Sequence, residues 1–406
     1  MNGATKDPCS CANFSDVCIE NMKLKWSVHF SMRMITGSAE LQCVLLNATD
    51  RIYLDVRDLA IQSVIVNGTE VKFRIAPNVY TFFGSKMKIY LPVTLNKKGE
   101  KLNVVIAYST SPNATALQWM TKDQTADRKQ PYLFSQCQAI HARSIVPCMD
   151  TPSVKHPYQA EVSVPNEVVC LMSAIQTAEP QPSQEIDGYT TYTFDQKVPI
   201  PSYLLAIVVG VMEKRDISHR CAVWAESSVV DKARYEFDET EDILKTAEDI
   251  VGPYVWGRYD MVCLPPSFPF GGMENPCLTF ITPTLIAGDR SLASVVAHEV
   301  SHSWTGNLVT NSTWEHFWLN EGFTMFIERK ICGRLVNEQY RQFMAFNGWT
   351  NNLAPAVYEQ FHPTHPFTKL IQEHKNVDPD VAFSCVPYEK GSAFLFYLEQ
   401  KLGGSG

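Results

Sequence analysis

Several things are missing from this chain of 406 residues, and each absence removes a class of protein. No apolar run is long enough for a membrane helix; the longest, near "SYLLAIVVGVM", is about half the length needed. The opening "MNGATKDPCSCANFSD" lacks the charged-then-apolar pattern of a secretory leader. There is no C-x-x-C among the twelve cysteines, no internal repeat and no low-complexity tract. The formal net charge is -8, which argues against a nucleic-acid binder working through a basic surface. A cytoplasmic protein with reduced, mostly buried thiols is therefore expected, with no nucleic-acid partner and no membrane span. In that setting the N-x-S/T triplets at Asn13, Asn47, Asn67, Asn113 and Asn311 are chance matches. Cys9 and Cys11 have no partner pair at zinc-finger spacing.

What is present is ordinary folded composition, 45% apolar and 19% charged, over a length that suits two or three domains. Residues 1–210 alternate apolar and polar side chains with period two, as in "KWSVHFSMRMITGSAELQCVLL" and again at Tyr158–Val164. Asn67-Gly68 is a hairpin signal between two such runs. An antiparallel β domain of one or two sheets is expected there. From 211 to 406 the pattern becomes α+β. "ARYEFDETEDILKTAEDIVGPYVW" reads as one helix stopped at Gly252-Pro253. Two further helices are expected at Ser291 to about Trp304 and about Thr313 to Ile331, and "GRLVNEQYRQFMAF" begins a third. The last, "YEKGSAFLFYLEQKLGGSG", is an apolar helix with a glycine cap. Such a helix usually packs on something further along, so the catalytic unit is expected to be incomplete at its C-terminal end.

The segment "VVAHEVSH" carries the chemistry. Positions i and i+4 of a helix lie about 40° apart and about 6 Å along the axis. His298 and His302 can therefore turn a nitrogen toward one ion, with Glu299 rotated aside to hold water as a general base. The plain alternative is two satisfied histidines on an amphipathic helix. Glu321, with 18 residues between it and His302, tips the balance. That is enough chain to end one helix at Gly306-Asn307, reverse with Asn311 or Ser312 as caps, and bring a third ligand opposite the imidazoles. A surface salt bridge is the alternative for Glu321. Glu328, seven residues on, either orients a ligating histidine or pairs with Arg329 or Lys330 at the surface. Upstream, Gly271-Gly272 allow close backbone approach before Met273 and Glu274, or else make a plain turn with an exposed acid. Phe270, Phe317 and Trp314 suit an apolar pocket or the core.

Taken together, "PPSFPFGGMENPCLTF", "HEVSHSWTGNLVTNSTW" with Glu321 in "WLNEGF", "YLFSQCQAIHARSIVPCMDTPSVK", "VGPYVWGRYD" and "DPDVAFSCVPYEKG" resemble the M1 zinc aminopeptidases, and within them the leukotriene A4 hydrolase branch. The resemblance implies an α+β multidomain fold. An N-terminal antiparallel β saddle-like domain precedes a thermolysin-like zincin catalytic domain, and the family's C-terminal helical domain is absent. It implies one Zn2+ per chain on His298, His302 and Glu321, with Glu299 as base and Tyr388 supporting the oxyanion. It implies peptide substrates with a free N-terminus, bound along Gly271, Gly272 and Met273, their α-amine held by Glu274 and Gln138. It also implies a second activity on a lipid epoxide, in which Asp380 positions water. Phe383 departs from the Tyr of vertebrate leukotriene hydrolases, which weakens the lipid reading. The remaining alternative is an inactive short form that only binds zinc. On the residues alone, Tyr388 also suits an ordinary helix start and Gln138 a sheet edge.

Overall fold

The computed structural model describes residues 7–292 and 294–403, which form two compact units dividing between Met212 and Glu213. The start of the opening segment and the final Gly-Ser-Gly lie outside the described residues, as does Ala293 within the helix expected from Ser291. Among the described residues no helix is long and apolar enough to cross a membrane. All twelve cysteines are thiols, and nine of them are buried.

The first unit is built from strands in three sheets. Its largest, nine-stranded sheet centres on Val17–His29, Met34–Leu45, Lys101–Ser109 and Lys155–Pro165. Val17, Ile19, Met22, Leu24, Trp26 and Val28 point into the core. The step from Ile19 to Met22 spans a bulge at Ile19/Asn21, which resets the buried phase by one residue. Asn67-Gly68 is the expected two-residue turn: both residues have positive φ, 48° and 82°, and Val66 pairs with Thr69. Two features differ from the sequence reading. There are three sheets, where one or two were expected, and Val17–His29 pairs in parallel with Lys155–Pro165. Alternation reports which face of a strand is buried; it does not encode the direction of its neighbour.

This unit also buries a charge cluster. Arg143, 0% exposed, donates from Nε to Asp150 Oδ2 at 2.8 Å. Three of its other four N–H groups go to the Phe83, Cys9 and Asp150 carbonyls. Each nearby carboxylate oxygen has a donor. Asp55 accepts from Cys11 N and Ser10 Oγ, Asp150 Oδ1 accepts from Ser202 Oγ, and Asp7 accepts from Cys9 N and Thr151 Oγ1.

The second unit has a five-stranded sheet ordered Glu213–Asp216, Cys221–Ala225, Tyr259–Cys263, Leu278–Ile281, Gly272–Met273. The three inner strands run parallel and are mostly apolar, with Cys221, Val223, Met261 and Ile281 packed in one core with the helices. The expected single helix is two, α1 (Val230–Glu236) and α2 (Thr240–Val251). Glu236 is nearly fully buried and accepts from Gly288 N and Arg290 N. Thr240 Oγ1 ties back to Phe237 O, so the chain turns between the helices, an effect invisible to local periodicity. α2 stops at Gly252, φ 98°, as its Gly-Pro signal requires. Then come α3 (Ser294–His302), α4 (Phe317–Leu335), α5 (Glu338–Asn347) and α6 (Val386–Leu402), the last capped by left-handed Gly403. α3 ends two residues short of Trp304, where Gly306 at φ 125° starts the reversal.

Candidate metal centre

α3 and α4 pack together, and that packing gathers the three expected ligands. His302 Nε2 lies 3.1 Å from His298 Nε2 and 3.2 Å from Glu321 Oε2, and His298 Nε2 lies 3.4 Å from the same oxygen. The other ring nitrogens are committed. His298 Nδ1 faces Glu328 Oε2 at 3.0 Å. His302 Nδ1 faces the Thr305 carbonyl at 2.9 Å, with Thr324 Oγ1 at 3.1 Å. A carboxylate and a carbonyl only accept, so both Nδ1 atoms carry a proton and Nε2 is the atom each ring has left for a ligand. The two Nε2 atoms and Glu321 Oε2 thus converge. Burial opposes charge on the rings, but Glu321 with Glu328 around His298, and Glu274 with Glu321 around His302, outweigh it and raise both imidazoles, His302 up to about 9. The site therefore calls for positive charge among the three atoms, from ring protons or from a metal ion that displaces them.

The donor set suits zinc, which takes imidazole nitrogen and carboxylate oxygen at about 2.0–2.2 Å. Two atoms at that distance on tetrahedral directions are about 3.4 Å apart, against the 3.1, 3.2 and 3.4 Å found here. Glu274, Glu299 and His302 form a second, overlapping group within reach of one ion. That group omits the His298 lone pair and contains two acids. The first set brings together both imidazole Nε2 atoms and an unmatched carboxylate oxygen, and it is the one that fits zinc.

Electrostatics follow from burial. Glu299 is 5% exposed and its Oε2 has no partner. Burial pushes its carboxyl up to about 8, with Glu274 and Glu321 adding and the two histidines opposing. Glu274 is 4% exposed, its Oε1 is likewise without a partner, and burial raises it against the pull of His302. Burial alone would raise Glu321, but His302 and His298 outweigh it and hold it below the usual range. Tyr388, in the first turn of α6, stacks on His298 at 5.9 Å and meets Phe317 edge-on. Burial and the charges of Glu321, Glu274 and Glu299 keep its hydroxyl well above its ordinary pKa, so it is a donor at neutral pH.

Glycines make the close approaches possible. A Cβ on Gly272 would sit 2.2 Å from Glu299 Oε1, and one on Gly306 would sit 2.8 Å from His302 Nδ1. The close approach found at Gly272 is to the Glu299 side chain. Gly271 has ordinary room, and Met273 is buried in the short strand beside Leu278–Ile281. Asn307 holds the Glu274 carbonyl at 2.7 Å. Asn311 does not cap a helix; it is buried between Asn320 Oδ1 and the Thr313 carbonyl. Glu328 is buried on His298, while Arg329 and Lys330 pair instead with Glu389 and Glu399 of α6. Phe317 and Phe270 both touch Phe383, forming an aromatic wall beside Tyr388, whereas Trp314 is buried against Phe317. Asp380 is exposed in the turn before α6. Gln138 lies in the first unit, half-buried after the strand Tyr132–Ser135.

Two contacts escaped the sequence reading. The Thr305–Thr324 pair fixes His302, and its only trace is a threonine three residues after Glu321. The other is Gly322 against Gly391, where a Cβ on the first would meet the Cα of the second at 2.8 Å.

Comparison with known proteins identifies the family. The Peptidase M1 N-terminal domain matches residues 19–204 and the Peptidase family M1 domain matches residues 235–406. The chain is 53% identical to leukotriene A-4 hydrolase of Xenopus laevis, covering 98% of this chain and 65% of that protein. It is 45% identical to leucine aminopeptidase 2 of Yarrowia lipolytica, covering 99% and 61%. The solved leukotriene A4 hydrolase of Saccharomyces cerevisiae superimposes with a TM-score of 0.89 at 38% identity, covering 99% and 62%. This chain belongs to the M1 peptidase family, and it spans less than two thirds of the length of these relatives.

Proposed function

We propose that the protein is a zinc aminopeptidase, with one Zn2+ per chain on His298, His302 and Glu321, acting on peptides with a free N-terminus. The observation that carries this reading is the convergence of three ligand atoms, with the Nδ1 atom of each ring already committed to another partner. When bound, the ion polarises the scissile carbonyl and lowers the pKa of water toward about 7. Glu299 takes the proton from water and returns it to the leaving amine. The Tyr388 hydroxyl donates to the oxyanion, and one such donor typically contributes about 3 kcal/mol to lowering the barrier. Glu274, buried and without a partner on Oε1, is a costly anion. A substrate α-ammonium relieves that cost and an internal peptide bond does not, which supports exopeptidase selectivity. In this reading Gly271, Gly272 and Met273 flank the peptide. The buried thiols support work in a reducing, cytoplasmic compartment.

The test is turnover of an aminoacyl-anilide by the purified chain, with zinc content measured beside it. About one zinc per chain and chelator-sensitive turnover are expected; a metal-free folded chain ends the reading. Bound zinc with no turnover leaves the inactive zinc-binding form.

The aromatic wall of Phe270, Phe317 and Phe383 supports a second reading, hydrolysis of a lipid epoxide at the same ion with Asp380 guiding water. Asp380→Asn separates the two: peptidase turnover survives and epoxide opening is lost. Epoxide hydrolysis that persists in that variant removes Asp380 from the second reading.

A further inference from the structure

The chain is acidic overall, yet residues 71–99 contain six Lys or Arg and no Asp or Glu. The first unit folds this stretch into the three-stranded sheet of Arg51–Val56, Ser85–Tyr90 and Phe73–Pro77. Ile52, Leu54, Met87 and Ile89 point inward. The opposite face carries Arg51, Tyr53, Arg74, Lys86, Lys88 and Tyr90. Lys86 and Lys88 lie over the Tyr53 ring at 5.2 and 5.9 Å, and Arg51 lies over Tyr90 at 5.8 Å. Arg74 stands directly across from Lys88, a like-charge pairing that weakens a sheet. Among the described ion pairs none involves Lys72, Arg74, Lys86 or Lys88. Of the cations on this face, Arg51 pairs with Asp50 at 3.1 Å, and Arg74, Lys86 and Lys88 have no acid among the described ion pairs.

A second, independent feature lies beside it. The hairpin joining Phe73–Pro77 to Ser85–Tyr90 exposes Val79 by 91% and Tyr80 by 40% at its tip, and Val93 is 82% exposed beyond the other end of the strand. Cations between exposed apolar ends are the pattern of a surface that lies on a charged interface and inserts its rim. The most exposed rim residues, Val79 and Val93, cannot stack on bases, and the lysines already occupy Tyr53, which argues against single-stranded nucleic acid.

We propose that this sheet face and hairpin tip form a docking surface for an anionic phospholipid bilayer. The surface lies wholly in the first unit, and its test does not depend on turnover. The experiment is co-sedimentation of the 406-residue chain with vesicles of phosphatidylcholine alone, or mixed with phosphatidylserine, at low and high salt. Binding to the mixed vesicles at low salt is expected, released by high salt. Lys86→Glu with Lys88→Glu lowers that partitioning by at least about tenfold, and Val79→Asp lowers it several-fold. Lys232→Glu with Lys245→Glu, the same charge change on exposed helix positions of the other unit, leaves it intact. Thermal unfolding checks the fold of each variant, and Lys72→Gln with Arg74→Gln, both at exposed positions, replaces the first pair if that pair misfolds. The proposal is overturned by equal binding to neutral vesicles, by no binding, by an equal loss in the control pair, or by single-stranded RNA displacing the vesicles.

Discussion

Arg143 and Glu321 are both charged, both almost completely buried, and each sits among acids, yet their surroundings are finished differently. Around Arg143 each nearby carboxylate oxygen has a hydroxyl, an amide or the guanidinium as donor. Around Glu321 three acids face two imidazoles with their Nδ1 protons turned outward, and an oxygen on each of Glu274, Glu299 and Glu321 goes unmatched. The first cluster is complete without a ligand, whereas the second is complete only with added positive charge. Burial and charge alone do not separate a structural ion cluster from a reactive one; the donor count does.

The largest test of this contrast is Arg143→Met. It strands Asp55 and Asp150 in the interior and is expected to destabilise the first unit by about 3–5 kcal/mol, read by urea unfolding. A variant as stable as the parent breaks the comparison. Glu299→Gln is the counterpart. Turnover should fall about 10²–10⁴-fold while thermal stability holds or rises, because an unmatched oxygen is neutralised. A fold lost with the activity means the second cluster is structural after all.

A pH series sharpens the contrast. Burial pushes the Asp7 carboxyl up to about 6, against opposing hydrogen bonds from Thr151 and Cys9. Its folded pKa lies above its unfolded one of about 4, so the native state binds more protons between the two. Stability of the first unit should fall as pH rises from about 4 to about 6, by at most about 3 kcal/mol. Asp7→Asn should flatten that slope; an unchanged slope assigns it elsewhere. The smallest effect is expected from Glu328→Gln. It keeps the shape beside His298 but removes the charge, and zinc affinity should weaken about 10–100-fold in a chelator competition. Unchanged affinity leaves Glu328 a bystander.

Much of the centre is legible in the sequence because it is local arithmetic. His298 and His302 share a face of one helix, Glu321 and Glu328 share a face of another, and the chain between is long enough to reverse. The hairpin at Asn67-Gly68 is legible for the same reason. Features set by distant partners are not. The break between α1 and α2 depends on Glu236 meeting Gly288 and Arg290, far along the chain. The grip of Thr305 and Thr324 on His302 exists only once two helices lie together. The parallel pairing of Val17–His29 leaves no mark on the strand's own alternation.

Where Gly322 meets Gly391, α4 and α6 touch main chain to main chain. α4 bears the acid that faces the imidazoles, and α6 bears the phenol three residues before that crossing. Their separation is consequently inherited from the backbone and owes nothing to rotamer choice. Even one methyl group at that crossing would force the helices apart and carry the phenol away from the imidazoles.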